Sequence, residues 1–124
     1  MNEREFDVVV YGATGFTGQL VAEYLLGQYG QDKGLRWAIA GRNEEKLRRM
    51  RRELGPTAEQ LPIIVADSSD ADALGKLASR TRVVLTTVGP YALYGSKLVA
   101  ACVESATHYC DLAGETQWIR KMID

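Results

Sequence analysis

An α/β fold, one doubly wound parallel sheet with strand order 3-2-1-4-5, is what this sequence predicts, on three observations. The run Phe6 to Tyr11, rich in β-branched residues (Val8, Val9, Val10), ends on a glycine-spaced turn that opens into a helix pattern. Five short apolar runs of strand character then alternate with helical patterns along the chain. The loops between them are short, and right-handed crossovers lead to a parallel sheet whose ligand lies across the carboxyl ends of the strands, beside strand one.

Each element has its own local reason. Leu20, Val21, Tyr24 and Leu25 mark an apolar face for the first helix, which closes near Gly27 or Gly30. Gly30 to Gly34 reads as a loop and Leu35 to Ala40 as a short second strand. Asn43 is placed to cap the second helix, with Glu44 and Glu45 complementing its dipole, Leu47, Met50 and Leu54 on its apolar side, and Gly55-Pro56 ending it. Ile63 to Ala66 is a third strand without polar alternation, the pattern of a parallel strand covered on both faces. Asp70 can cap a third helix carrying Ala71, Leu74 and Leu77. Val83 to Leu85 makes the fourth strand, Leu98, Val99, Cys102 and Val103 mark the fourth helix, and His108 to Leu112 the fifth strand. Glu115 to Asp124 has the character of a further helix start, and no repeat or low-complexity segment is present.

Composition excludes several functions. A length of 124 residues with 46% hydrophobic content supports one domain over 1–124 and leaves no room for a second. With 15 basic against 16 acidic residues, a net charge of -1 provides no field to draw in nucleic acid or an anionic membrane. Cys102 and Cys110 lack metal or redox spacing and read as two buried thiols in a reducing compartment. The single His108 cannot complete a zinc set with them, so no metal is expected. No apolar run reaches the length of a membrane span, and Met1 to Glu5 is too charged to begin a signal peptide, so a soluble, cytoplasmic protein is expected.

The chemistry concentrates at the strand ends. Gly12, Ala13, Thr14, Gly15, Phe16, Thr17 and Gly18 form G-x-x-G-x-x-G, a variant of the dinucleotide fingerprint of Rossmann-type folds. Gly12 permits the sharp turn, Gly15 lets a phosphate approach the backbone, and Gly18 lets the helix pack on the sheet, while the helix start aims its N–H groups at the anion. The bland alternative is an ordinary glycine turn that binds nothing. At the end of the second strand an NAD site places Asp or Glu, whereas this chain has Gly41-Arg42-Asn43. A guanidinium grips a 2′-phosphate that a carboxylate would repel, so NADP(H) is favoured over NAD(H), with Lys46 one turn on as a second cation. Arg42 as a plain surface arginine is the competing account. Arg48, Arg49, Arg51 and Arg52 read as a solvated helix face.

Asp67 and Ser68 follow the third strand, where they can reach the adenine amino group or ribose, or equally cap the next helix. Val88, Gly89 and Pro90 follow the fourth strand and shape backbone to pass close to ribose and nicotinamide. Asp111 and Glu115, beyond the fifth strand, are acid/base candidates only by position, so no catalytic residue is assigned. The Tyr-x-x-x-Lys pair of short-chain dehydrogenase chemistry is not met, since Tyr94 and Lys97 stand one residue too close.

Tyr11 to Gly18, Ala40-Gly41-Arg42, Val88 to Tyr91 with Tyr94-Gly95, and Asp111 to Glu115 together resemble the N-terminal domain of saccharopine dehydrogenase-like oxidoreductases, over nearly the whole chain. The similarity is greatest to the branch holding trans-acting enoyl reductases and the animal saccharopine dehydrogenase-like oxidoreductase. The resemblance implies NADPH-dependent reduction and, for the enoyl reductase branch, hydride delivery to an activated carbon–carbon double bond of a lipid-like acyl chain. It also implies a second domain following this one and completing the substrate cleft, so the chain by itself is expected to be inactive. A dinucleotide-binding module that senses redox state or scaffolds a partner is the alternative. A homodimer, associating near Cys110 at the sheet edge, is a further expectation.

Overall fold

A computed structural model of the chain describes residues 4–30, 34–87 and 95–111. In chain order these build β1 (Phe6–Tyr11), α1 (Phe16–Tyr29), β2 (Trp37–Gly41), α2 (Glu44–Glu53), a 3-10 turn (Pro56–Ala58), β3 (Ile63–Val65), α3 (Ala71–Ser79), β4 (Thr81–Thr86), α4 (Ser96–Glu104) and β5 (His108–Cys110). The sheet runs β3-β2-β1-β4-β5 with every pairing parallel, the topology the sequence predicts.

β1 is central, with Val9 opposite both Ala38 and Val84 and Tyr11 opposite both Ala40 and Thr86. It is covered on both faces, which is why successive Val9 and Val10 are both buried and the strand shows no polar alternation. On one face Val9, Tyr11, Ala38, Ala40 and Val84 pack against Leu74 and Leu77 of α3 and Leu98, Ala101 and Cys102 of α4. On the other, Val10, Trp37 and Ile39 pack against Ala22 of α1 and Leu47 and Met50 of α2. Two helices on each side are what right-handed crossovers require when the strand order reverses beside β1.

The caps fall where the sequence places them. Asn43 accepts a hydrogen bond from the Lys46 N–H at 3.0 Å, Asp70 accepts one from the Ala73 N–H at 3.1 Å, and α1 ends on Gly30 with φ 62°. Arg4 supplies a tie absent from the sequence reading. Its guanidinium donates to the carbonyls of Ala78, Thr81 and Ser105 and to the Thr107 hydroxyl at 2.6 to 3.0 Å, joining the ends of α3 and α4 to the start of β4.

Several expectations are corrected. α1 turns Gly18 and Ala22 to the sheet and leaves Leu20 and Tyr24, with Phe16, exposed. β3 is an edge strand with Val65 exposed, so its unbroken apolar run does not signal cover on both faces. Leu35 precedes β2 rather than lying in it, and Val103 points to solvent from α4. Cys102 is buried as expected, but Cys110 is exposed, because the last residue of an edge strand has a neighbour on one side only. Leu112 and the helix start from Glu115 lie outside the described residues.

Candidate functional site

The turn after β1 is held by β2. The amides of Gly12 and Ala13 both donate to the Ala40 carbonyl, at 2.9 and 3.2 Å, and Gly12 takes φ 81°, a left-handed conformation that favours glycine. The Gly15 amide then donates to the Gly12 carbonyl at 3.1 Å, and the Thr87 hydroxyl, from beyond β4, donates to the same carbonyl at 3.2 Å. Closing the turn this way brings α1 hard against it. A Cβ on Gly18 would fall into the Gly12 carbonyl and within 2.7 Å of the Ala13 Cα. Gly12 and Gly18 are therefore glycines for the protein's own packing.

Gly15 is different. Its φ of -76° suits any residue, and a Cβ there would meet only the Gly12 carbonyl oxygen at 3.5 Å, an ordinary contact. It is exposed at the N-cap of α1, flanked by exposed Thr14, Phe16 and Thr17, and no side chain caps the helix. Asn43 and Asp70 perform that task on α2 and α3. The first turn of α1 thus presents amides and a positive dipole end at the carboxyl rim of the sheet with no side-chain cap among the described residues. Such a helix start is the kind of place where an anion binds.

Arg42, Asn43 and Lys46 gather at the end of β2, and Asp67 and Ser68 at the end of β3, on the same rim. Pairing of Gly41 with Val65, and the Ala66 amide donating to the Gly41 carbonyl at 2.8 Å, set the two strand ends side by side. Arg42 is exposed and makes no hydrogen bond or ion pair with the described residues, so its guanidinium is available to a ligand. The Asn43 side-chain oxygen is engaged in its cap, and Lys46 projects into solvent one turn later. Asp67 does not cap α3, a task Asp70 fulfils. Instead its Oδ1 accepts from the Ser69 amide and hydroxyl at 2.9 and 2.8 Å. Those two bonds hold its carboxyl below the usual carboxylate range, with the charges of Arg42 and Lys97 acting in the same direction. Val88, Gly89, Pro90 and Glu115 lie outside the described residues, while Asp111 follows β5 on this rim.

Two participants are missed by sequence reading. Tyr11 passes as a core residue of β1, yet its buried hydroxyl donates to the Ala66 carbonyl at 2.8 Å, reaching across β2 to the end of β3. It can do so because β2 offers only Ala38 and Ala40 in that cluster. Burial pushes the hydroxyl up to about 12, the Asp67 charge adding to the effect while a Ser68 hydrogen bond and the Arg42 charge oppose it. Lys97, in the first turn of α4, donates from Nζ to the Ser69 carbonyl at 2.9 Å. Neither contact has a sequence motif, since both join residues far apart in the chain. Among the described residues no group of His, Cys, Asp and Glu is placed to hold a metal ion, and no helix is long and apolar enough to cross a membrane.

A doubly wound parallel sheet with a glycine-lined helix start at its switch point defines a dinucleotide-binding domain of the Rossmann type. Comparison with known proteins narrows the class. The chain belongs to the saccharopine dehydrogenase NADP binding domain family, whose sequence model matches residues 8–123, and NADP(H) is accordingly its cofactor. It is similar to the trans-acting enoyl reductase of Mycobacterium leprae, 51% identical over 123 residues covering 99% of this chain and 29% of that protein. The trans-acting enoyl reductase of Mycobacterium bovis is 52% identical over 122 residues, covering 98% of this chain and 28% of that protein. The chain thus spans less than a third of the length of these relatives. Apo saccharopine dehydrogenase (L-Glu forming) from Saccharomyces cerevisiae shares the fold, with a TM-score of 0.68 at 18% identity over 95% of this chain and 24% of that one. Isoflavone reductase does likewise, with a TM-score of 0.66 at 14% identity, covering 95% of this chain and 43% of that one.

Proposed function

We propose that residues 1–124 form the cofactor domain of a two-domain, NADPH-dependent enoyl reductase acting on a lipid-like acyl substrate. The name carried by the mycobacterial relatives supports the reaction, and the observation on this chain that supports the cofactor role is Gly15. Nothing among the described residues demands glycine there, and its place at the uncapped start of α1 on the carboxyl rim supports a ligand as the reason for the missing side chain. In this reading the turn from Gly12 to Gly15 sets the start of α1, whose first-turn amides at Phe16, Thr17 and Gly18 hold the pyrophosphate, while Arg42 and Lys46 take the 2′-phosphate and Asp67 and Ser68 border the adenosine. Val88, Gly89 and Pro90 are assigned to the nicotinamide end from their sequence alone, and Asn43 fixes the helix that carries Lys46. NADPH supplies the hydride when bound. The chain's contribution is to orient it, with the proton donor and acyl cleft furnished by a second domain.

Two free thiols, one of them exposed, suit a reducing cytoplasm. Where two copies associate, the outer edge of β5, bearing Cys110, is the surface we infer for it, and sedimentation of the wild type against a Cys110→Lys variant tests that.

Calorimetric titration with NADPH and NADH tests the cofactor site. NADPH is expected to bind more tightly, and Arg42→Ala to remove most of the difference, a loss of about 2 kcal/mol for a charge-assisted contact. Equal affinity of the wild type for both cofactors defeats the assignment. Turnover of an enoyl substrate by the two-domain protein, but not by residues 1–124, tests the reaction. Cofactor binding without turnover by the longer protein points to a sensing or scaffolding module instead.

A further inference from the structure

Resting on the NADP(H) reading above, we propose that Lys97 is a specificity-determining positioning residue, whose ammonium offsets Asp67 so that the rim admits a 2′-phosphate at Arg42. An acid that borders the adenosine carries a cost in an NADP(H) site, because the strand ends of β2 and β3 are neighbours. Gly41 pairs with Val65, so Asp67 lies one step beyond the level of Arg42 on the adjoining strand. A carboxylate so placed attracts the guanidinium and repels the phosphate that the guanidinium is there to bind, both to the cost of NADPH.

The fold brings a second cation to that acid from a distant part of the chain. The Lys97 Nζ is anchored on the Ser69 carbonyl at 2.9 Å, and Ser69 in turn gives its amide and its hydroxyl to Asp67 Oδ1 at 2.9 and 2.8 Å. The ammonium is thereby fixed on the turn that carries the carboxylate, rather than left to wander on a flexible stem. Both Lys97 and Arg42 act on the charge of Asp67. When Arg42 engages a phosphate, Lys97 remains as the countercharge of Asp67, and the acid keeps its hydrogen-bonding role without opposing the ligand. NADH has no 2′-phosphate and is indifferent to this balance.

A double-mutant cycle decides it. The dissociation constants of NADPH and NADH are measured for the wild-type chain, Lys97→Met, Asp67→Asn and the double variant. All these side chains are exposed, so Lys97→Met is expected to weaken NADPH about two- to fivefold at low salt while NADH is unchanged. The loss shrinks at high salt and disappears in Lys97→Met/Asp67→Asn, where no carboxylate needs offsetting. Lys97→Arg keeps the wild-type ratio, and melting temperatures without cofactor stay level across the set. A loss persisting in the double variant means that Lys97 contacts the phosphate itself and overturns the inference. An unaltered NADPH to NADH ratio in Lys97→Met, or an equal loss of both, overturns it as well. Absence of any preference in the wild type overturns the cofactor reading together with this one, whereas the other failures leave that reading standing.

Discussion

Gly15 and Gly18 are three residues apart and differ in surroundings, Gly18 being pressed against the Gly12 turn while Gly15 is open and, in the proposed function, faces the cofactor. Gly18→Ala drives a Cβ into backbone that has nowhere to go, since the Gly12 carbonyl is already fastened by Gly15 and Thr87. We expect a loss of about 3 kcal/mol or more in denaturant unfolding. Gly15→Ala should cost under ~1 kcal/mol by the same measurement, the range for an N-cap change. Its effect should fall on NADPH, with affinity lost while the fold persists. A Gly15→Ala chain binding NADPH as well as the wild type would remove the main support for the cradle. Tyr11 adds a third outcome. Tyr11→Phe leaves the Ala66 carbonyl without its buried donor and should cost about 1 to 2 kcal/mol. It should also abolish the tyrosine that resists ionisation until about pH 12 in an ultraviolet titration.

Among the elements, α2 and α3 start on side-chain caps and α1 does not. Asp70→Ala should therefore lower stability by about 1 kcal/mol, a purely structural effect without consequence for cofactor. α1 also shows why hydrophobic spacing misled. Of the expected face Leu20, Val21, Tyr24 and Leu25, Val21 and Leu25 do pack against the core, but the turn at Gly12 draws the helix so close that Gly18 and Ala22 lie directly beneath it and Leu20 and Tyr24 turn outward. Phe16 is likewise left on the outward side. β3 deceives in a similar way, because Ile63 to Val65 reads as a doubly covered strand but closes the sheet at its edge. The ends of α3 and α4 depend on Arg4. Arg4→Met should cost about 2 kcal/mol or more, as several carbonyls lose a charged donor together.

For the molecule as a whole, stability should respond to pH at both extremes. The Arg80 side chain holds the Glu5 carboxyl below its ordinary 4.5, and the Arg36 amide and guanidinium hold Asp7 below 3.8, with Arg82 assisting. Lowered values mean that these groups stabilise the fold above about pH 4 to 5 and lose that contribution as pH falls through their folded values. Denaturation midpoints measured down the acid limb should show it, and Asp7→Asn should flatten the slope. Burial pushes the Cys102 thiol from 9.0 to about 11 and Tyr11 from 10.0 to about 12. Both raised groups stabilise the fold in their neutral forms, so that contribution is complete below pH 9 and fades as pH climbs toward 11 and 12. Cofactor should oppose unfolding throughout, by about 2.7 kcal/mol when NADPH is present at a hundred times its dissociation constant.

Strand order, glycine turn, caps and cofactor class were all legible in the chain by itself, because each follows from neighbours along the backbone. Val8 to Val10 favour a buried strand, G-x-x-G-x-x-G specifies a turn into a helix, and Arg42 in place of an acid pointed to the NADP(H) that the family shows. Tertiary structure alone decided which glycine the protein's own packing requires, which apolar residues remain outside, and which cation is brought to the Asp67–Ser69 turn. Those outcomes depend on the separation between β1 and α1 and on contacts such as Tyr11 to Ala66 and Lys97 to Ser69, which exist only after the sheet has closed. Local sequence carries no term for such distances.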